Sequence, residues 1–367
     1  MTEHFDDIGT VVPADILKEI IPSHGNVRNF LEHVALAPLN DSAQRAAGDA
    51  AARNALSALS EMYQIADTDL VTGFRSVTGA EAAAGGARTL SQPDPAVDPD
   101  AGAAAFFDVD NTLIQGASIF LFALGLVEHG FVRRRDLVGM LWKQMKFRIS
   151  GSENAADVAK AREQALEFFQ GHSVAEMVEL AEKIFDDKID ERIYHDTSEL
   201  AQLHLHAGQE VWLVTATPVQ LAQVIARRMG FTGALGTVAE VEDGKFTGRL
   251  VGDILHGPGK KHAVAALAAS SGLDLRRCTA YSDSANDIPM LSMVGTAIAI
   301  NPDWRLRRHA LEQEWEVHDH RHVRTATIAA VRGLLAAGVV GGVAVSVAGV
   351  ARWLYRRSTG EGAAQSR

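Results

Sequence analysis

Apolar residues recur along this chain first with helical spacing and later in short runs that end at polar turns. The short runs predict buried strands at 106–109, 210–215, 278–282 and 296–300. Between them, we expect helices over 118–207, from Pro218 to Met229, from Lys260 onward and over 288–294, and a hairpin at Asp243-Gly244. Alternating strands and helices are typical of a parallel, doubly wound α/β sheet, which binds ligands at the carboxyl ends of its strands.

The first 105 residues differ in pattern from the rest of the chain. Residues 13–78 have helical spacing, and we expect 1–80 to form a helical N-terminal extension. Residues 81–105 are rich in Ala, Gly and Pro and have no sustained apolar period, which predicts a flexible linker. We therefore expect the catalytic part of the chain to begin after this linker.

Composition narrows the class of protein. The 367 residues contain 35 Lys and Arg against 46 Asp and Glu, and the net charge of −11 argues against a nucleic-acid partner. The single cysteine, Cys278, excludes a disulfide framework and a thiolate zinc cluster. Because the acidic first residues lack the basic region and the apolar region of a secretory signal, we expect a cytoplasmic protein.

Two pairs of carboxylates follow predicted strands. Asp108 and Asp110 end the first strand, and Asp283 and Asp287 follow the strand at 278–282. Carboxylates brought together at one sheet edge repel each other unless a cation neutralises them. A hard cation that prefers oxygen ligands, such as Mg²⁺, would do so.

Two further features would suit a phosphate group. Thr215 ends the strand at 210–215 and is followed by Ala216, where a hydroxyl and backbone N–H groups could hold phosphate oxygens. Lys260 and Lys261 begin a helix after a Gly-Pro-Gly turn and place a cation there. Each of these features alone is common in proteins. Their occurrence in this order along one series of alternating strands and helices is uncommon.

Together these motifs resemble the haloacid dehalogenase superfamily, subfamily IB, which is phosphoserine-phosphatase-like. The resemblance covers about residues 105–315. It implies a Rossmann-like core, residues 106–117 and 208–315, with a C1-type helical cap, residues 118–207, inserted. The matching positions are Asp108, Asp110 and Thr112, then Thr215, then Lys260 with Lys261 as the alternative register, then Ser282, Asp283, Asp287 and Met290.

The resemblance also implies roles in phosphoric monoester hydrolysis. Asp108 would attack phosphorus to form an aspartyl-phosphate, and Asp110 would act as general acid and base. Mg²⁺ would be held by Asp108, the backbone carbonyl of Asp110 and Asp283, with Asp287 orienting these ligands. The residues expected to contact the phosphoryl group or substrate are Lys260, Thr215, Ala216, Asn111 and Ser118.

The substrate is a separate question. Phosphoserine phosphatases carry a glutamate nine residues after the nucleophile that binds the substrate's amino group, and Ala117 occupies that position here. We therefore expect a lipid phosphate, a lysolipid phosphate or another small phosphorylated metabolite. The alternatives are a phosphoserine phosphatase of serine biosynthesis and a non-catalytic, membrane-tethered phosphate-binding scaffold.

An uncharged apolar run, residues 333–351, stands out near the C-terminus. A helix of this length would reach about 28 Å, close to the thickness of a bilayer core. It predicts, within a helix over 325–357, an anchor to the inner face of the membrane, with packing on the protein as the alternative. Gly338 and Gly342 would permit close pairing of two copies in a homodimer.

Overall fold

A seven-stranded sheet forms the centre of the part of the chain that the computed structural model describes, residues 41–86, 88–89, 93–131 and 170–319. The chain divides into two units after His318, and the elements below all belong to the first. The strands are β1 Ala104–Phe107, β2 Glu210–Pro218, β3 Gly233–Glu242, β4 Lys245–Val251, β5 Thr279–Ser282, β6 Thr296–Ile300 and β7 Glu316–His318.

Nine α-helices accompany these strands within the described residues. They are α1 Asp41–Tyr63, α2 Asp67–Ala83, α3 Ser118–Glu128, α4 Val174–Ile184, α5 His195–His206, α6 Val219–Met229, α7 Pro258–Ser271, α8 Ile288–Leu291 and α9 Trp304–Glu312. A π-helical turn, Phe185–Ile189, and a 3₁₀ turn, Asp190–Arg192, join α4 to the segment before α5.

The sheet has the order β4-β3-β2-β1-β5-β6-β7, and every neighbouring pair except β3 and β4 is parallel. The parallel α/β prediction is therefore confirmed, and the hairpin predicted at Asp243-Gly244 joins β3 to β4. The parallel strands carry their carboxyl ends to one edge, where ligands bind in such sheets.

Both faces of the sheet are covered by apolar residues. Along β1 the side chains alternate, so that Ala105 and Phe107 join one buried cluster while Ala104 and Phe106 join the other. The first cluster also contains apolar residues of α3, α4 and α6, and the second those of α2 and α7. Burial on both faces explains why the strands are continuous apolar runs.

The helix α2 is part of the second cluster, although the sequence placed it in an extension before a linker. Leu70, Phe74 and Val77 are almost fully buried there. A Cβ atom on Gly73 would lie only 2.3 Å from the backbone oxygen of His262 in α7, so α2 approaches α7 at a glycine. Extension and core are thus packed together from Asp67 onward.

The segment predicted as a flexible linker is fixed to the core at several points that the structure describes. Thr89 donates its backbone N–H to Thr232, and Asp94 and Asp100 donate theirs to the carbonyls that end α5. Arg88 forms an ion pair with Glu81. The Ala, Gly and Pro content gave no indication of these backbone contacts.

The region between β1 and β2 contains the predicted helical cap, residues 118–207. Its described helices are α3, α4 and α5, and 132–169 lie outside the described residues. None of the helices that the structure describes is long and apolar enough to cross a membrane. The run 333–351, predicted as an anchor and dimer contact, and the helix 325–357 lie outside the described residues.

Candidate active site

Three neighbouring strands bring the predicted residues to one sheet edge. In the β1 register, Phe107 pairs with Leu213 of β2 on one side and Tyr281 of β5 on the other. Asp108 directly follows Phe107, Thr215 lies two residues beyond Leu213, and Asp283 lies two beyond Tyr281. The backbone N–H of Asp108 donates to the carbonyl of Tyr281 at 2.9 Å, which ties the first acidic residue to β5.

A buried cation lies between two of the carboxylates. Lys260 Nζ is 2.5 Å from Asp108 Oδ1 and 2.7 Å from Asp287 Oδ2, and all three side chains are almost completely buried. Ser282 donates its hydroxyl to the same Asp287 oxygen at 2.7 Å. Thr112 donates to Asp108 Oδ2 at 3.2 Å, so both oxygens of Asp108 have partners.

The structure distinguishes the two lysine registers that the sequence left open. Lys260 points into the site, whereas Lys261 Nζ donates to the backbone oxygen of Gln64, away from the carboxylates. Gly259 makes this helix start feasible, because a Cβ atom there would lie 2.3 Å from the backbone oxygen of Ile254. Lys260 is therefore the lysine of this site.

The electrostatics of the site are dominated by negative charge. Burial is the largest influence on Asp108 and raises the pKa of its carboxyl; Lys260 lowers this pKa and three carboxylates raise it, to about 8. Those carboxylates belong to Asp110, Asp283 and Asp287. Burial lowers the pKa of Lys260, but its two carboxylate partners outweigh that effect and hold it above the usual range.

A second hydrogen-bond network fixes Asp110. Its Oδ1 accepts the backbone N–H of Ser118 at 2.8 Å and also the Ser118 hydroxyl. The Ser118 hydroxyl lies 2.6 Å from Thr217 Oγ1, and the backbone N–H of Thr217 donates to Thr215 Oγ1 at 3.1 Å. The first turn of the cap helix α3 is thus connected through Asp110 and Thr217 to the end of β2. No motif in the sequence indicates a role for Thr217.

Ala216 and Asn111 lie at the same edge. Ala216 is exposed, and its carbonyl accepts the hydroxyl of Thr237 at 2.7 Å, which fixes the peptide direction at the end of β2. Asn111 has a φ of 57° in the turn after Asp110, and its carbonyl accepts the side-chain amide of Asn301 at 3.2 Å. Asn301 is fully buried and was another position without a predicted role.

Asp303 organises the loop that carries Asp283. Its carboxylate accepts the backbone N–H groups of Ala285 and of the first turn of α9, and its own N–H donates to the carbonyl of Asp283 at 2.8 Å. An aspartate followed by a helical pattern suggests a helix cap. Its contact with the Asp283 loop could not be recognised without the fold.

The donor set fits a hard divalent cation. Three carboxylates raise the pKa of Asp108 and one cation, Lys260, lowers it, so negative charge is in excess around Asp108. Within the described residues, no group of three or more His, Cys, Asp or Glu side chains is arranged to hold a metal ion. A site built from Asp108, Asp283 and a backbone carbonyl of Asp110 contains only two such side chains, and oxygen ligands of this kind suit Mg²⁺.

Fold and site together define a parallel α/β protein whose acidic residues gather at the carboxyl edge of its sheet. The haloacid dehalogenase-like hydrolase family matches residues 105–292. The phosphoserine phosphatase SerB1 of Mycobacterium tuberculosis is 57% identical over 249 residues, which cover 68% of this chain and 81% of that protein. The chain belongs to the haloacid dehalogenase-like hydrolase family and is a phosphomonoester hydrolase of that family.

Two further comparisons, a more distant phosphatase and a solved structure, agree with the family and with the fold. A histidinol-phosphatase of Neisseria meningitidis serogroup C is 29% identical over 217 residues, which cover 58% of this chain and 96% of that protein. A solved structure of a protein of unknown function from Bordetella pertussis Tohama I matches with a TM-score of 0.53 and 32% identity, over 59% of this chain and 98% of that one. The enzyme interpretation is therefore confirmed over the scaffold alternative.

Proposed function

We propose that this protein is a Mg²⁺-dependent phosphomonoesterase that works through an aspartyl-phosphate on Asp108. The observation that carries the proposal is the carboxylate of Asp108, which ends β1 at the sheet edge and is held by Lys260 and Thr112. A carboxylate in a fixed orientation can attack phosphorus directly. The tight positioning reduces the reorganisation that the attack needs.

In the first step, an oxygen of Asp108 forms a bond to phosphorus as the bond to the leaving oxygen breaks. Lys260 offsets the negative charge on the transferring phosphoryl group. The Thr215 hydroxyl, the Ala216 N–H and Asn111 would contact the phosphoryl oxygens from the ends of β1 and β2. These contacts position the ester in line with the nucleophile.

Asp110 is the proposed general acid and base. Because both donors of Ser118 reach Oδ1, the neutral acid form would carry its proton on Oδ2. That proton passes to the leaving oxygen in the first step. In the second step Asp110 takes a proton from the water that attacks the aspartyl-phosphate, which releases inorganic phosphate.

The residues that would hold Mg²⁺ are Asp108, Asp283 and the backbone carbonyl of Asp110. The bound ion would neutralise charge shared by the nucleophile and the phosphoryl oxygens. Asp287 is engaged by Lys260 and Ser282, which suits a role in orienting neighbours rather than in direct ligation.

We propose a substrate without an ammonium group beside its phosphate, such as a lysolipid phosphate, a lipid phosphate or a small phosphorylated metabolite. Ala117 supports this, since it is exposed directly before Ser118 and carries no charge. The second candidate is phosphoserine, which is supported by the name of the relative that is 57% identical. Attachment to the inner face of a membrane and pairing through 333–351 stay sequence-based predictions.

The test is hydrolysis of an aryl phosphate by Asp108→Asn and by Asp98→Asn, a matched change at an exposed aspartate. With Mg²⁺ present, Asp108→Asn should lose turnover by a factor on the order of 10⁴ or more, because the nucleophile is gone. Asp98→Asn should retain turnover with Mg²⁺ and lose it with a chelator. Turnover by Asp108→Asn close to wild type would refute the proposed mechanism.

A further inference from the structure

Three large apolar side chains are exposed next to the active site. Trp304, the first residue of α9, is 66% exposed, and Ile119 and Phe120 in the first turn of α3 are 40% and 43% exposed. Large apolar side chains of this kind often mark a contact surface when they lie close to one another. None of them has a part in the chemistry proposed above.

Hydrogen bonds made by neighbouring residues place these three positions around one edge of the site. Ile119 follows Ser118, whose hydroxyl holds Asp110. Trp304 follows Asp303, whose N–H donates to the carbonyl of Asp283. The segment before α3 and the segment before α9 meet where the Asn301 side chain donates to the carbonyl of Asn111. The apolar residues thus flank the opening of the site from the cap and from the core.

Positive charge accompanies the tryptophan. The guanidinium groups of Arg305 and Arg308 each lie 5.4 Å from the centre of the Trp304 ring. The first turn of α9 contains no acidic residue, although the positive end of a helix dipole favours acids and disfavours arginines there. Among the described residues, Arg305 makes no ion pair. Arg308 forms an ion pair with Glu312 at 3.7 Å, one turn further along the helix, so it is Arg305 that helix stability does not explain.

The charge of α9 is divided along its length. Arg305 lies at its start, on the active-site edge, and Arg308 in its middle, whereas Glu312, Glu314 and Glu316 lie at its end or beyond. Since β6 ends at the active-site edge and β7 runs parallel to it, α9 leads back to the opposite edge. A protein with a net charge of −11 thus presents cations beside the site.

We propose that this rim, defined as Ile119, Phe120, Trp304, Arg305 and Arg308, docks the active-site edge onto an anionic lipid bilayer. Tryptophan favours the membrane interface, and arginines are attracted to anionic headgroups. Apolar residues at two helix starts, with cations on one of these helices, suit shallow insertion between headgroups. This proposal rests on the proposed function, because the docking surface would bring a membrane-borne phosphate to Asp108. Binding to a bilayer can nevertheless be measured without any turnover.

The test compares two double variants of the full chain. Trp304→Ala with Arg305→Gln removes one of the rim's two aromatic residues and one of its two cations. The control, Leu311→Ala with Arg276→Gln, removes an exposed apolar residue at the other end of α9 and an exposed arginine before β5. Sedimentation with vesicles of phosphatidylcholine, or of phosphatidylcholine with phosphatidylglycerol, measures binding. Turnover of a soluble aryl phosphate and thermal unfolding are measured alongside.

Wild type and control should bind the anionic vesicles at least about fivefold more strongly than the rim variant, with equal soluble turnover and unfolding temperature. The C-terminal run is unchanged in all three chains, so binding through that run would not separate them. Equal vesicle binding by rim variant and wild type would overturn the proposal. Failure of the wild-type chain to bind anionic vesicles would also overturn it. Binding of the wild-type chain to polyglutamate instead of the vesicles would have the same effect, because it would indicate an acidic protein as the partner. Loss of soluble turnover in all chains would refute the phosphatase mechanism but leave the vesicle result decisive.

Discussion

Lys260 is the residue on which the buried charges of the site depend. It contacts Asp108 and Asp287 at once, and burial makes each charge costly without its partners. The pKa of Asp108 rises to about 8 even with this lysine in place, because burial and three carboxylates outweigh it. A hard cation at the site would favour the charged, nucleophilic form of Asp108.

Replacing Lys260 by Met should therefore destabilise the fold. We expect a loss of about 3–5 kcal/mol in the free energy of unfolding, since two buried carboxylates lose their shared partner. The matched variant Lys261→Met should change this free energy by less than about 0.5 kcal/mol, because Lys261 contacts only a backbone oxygen at the surface. Urea unfolding in a chelator measures both, and equal losses would contradict the assignment of Lys260.

The sequence predicted site residues that lie in short motifs after strands. Asp108, Thr215 and Asp283 were recognisable because each follows an apolar run. Thr217, Asn301 and Asp303 were not assigned roles, since their importance comes from partners on other elements. Thr217 meets Ser118 from 99 residues away, a separation that no local pattern reveals.

At the scale of elements, α2 illustrates what the sequence did not predict. Its helical spacing is evident, but the spacing does not specify a partner, and the region before β1 has the composition of a linker. The packing depends on small residues: Gly73 lies against α7, and the hydroxyl of Ser76 accepts the backbone N–H of Asp253 at 2.9 Å. In contrast, β6 was predicted at its observed bounds because it is a short apolar run.

Gly73→Ala tests whether α2 belongs to the core. The new Cβ would lie 2.3 Å from the His262 oxygen, so we expect a loss of about 1–3 kcal/mol in the free energy of unfolding. Gly48→Ala in α1 is the matched control, because a Cβ there meets nothing within 4 Å. That change should stabilise the protein by up to about 1 kcal/mol. Thermal unfolding measures both, and a neutral Gly73→Ala would contradict this packing.

At the scale of the whole molecule, one sheet edge combines chemistry with features that select a substrate. The proposed catalytic residues lie at the ends of the strands, and the start of the cap helix α3 brings Ala117 and the exposed Phe120 to the same edge. Such a site gives an amino group no acidic partner at position 117. Substrate choice is thus expected to depend on the cap rather than on the strand ends.

A substrate comparison with Ala117→Glu tests this expectation. Wild type should hydrolyse a lysolipid phosphate with a kcat/KM at least about tenfold above that for phosphoserine, since the ammonium group of phosphoserine finds no acidic partner at position 117. Ala117→Glu should reverse the preference, whereas Ala101→Glu, a charge added at another exposed alanine, should not. A wild-type preference for phosphoserine would favour the second candidate substrate instead.

The most direct test of the central claim is to trap the covalent intermediate during turnover. Acid quenching followed by borohydride reduction converts an aspartyl-phosphate into homoserine, and peptide mass mapping locates the changed residue. The proposed mechanism predicts homoserine at position 108, dependent on substrate and absent from Asp108→Asn. Homoserine at Asp110 or Asp283, or no modified residue during active turnover, would contradict it.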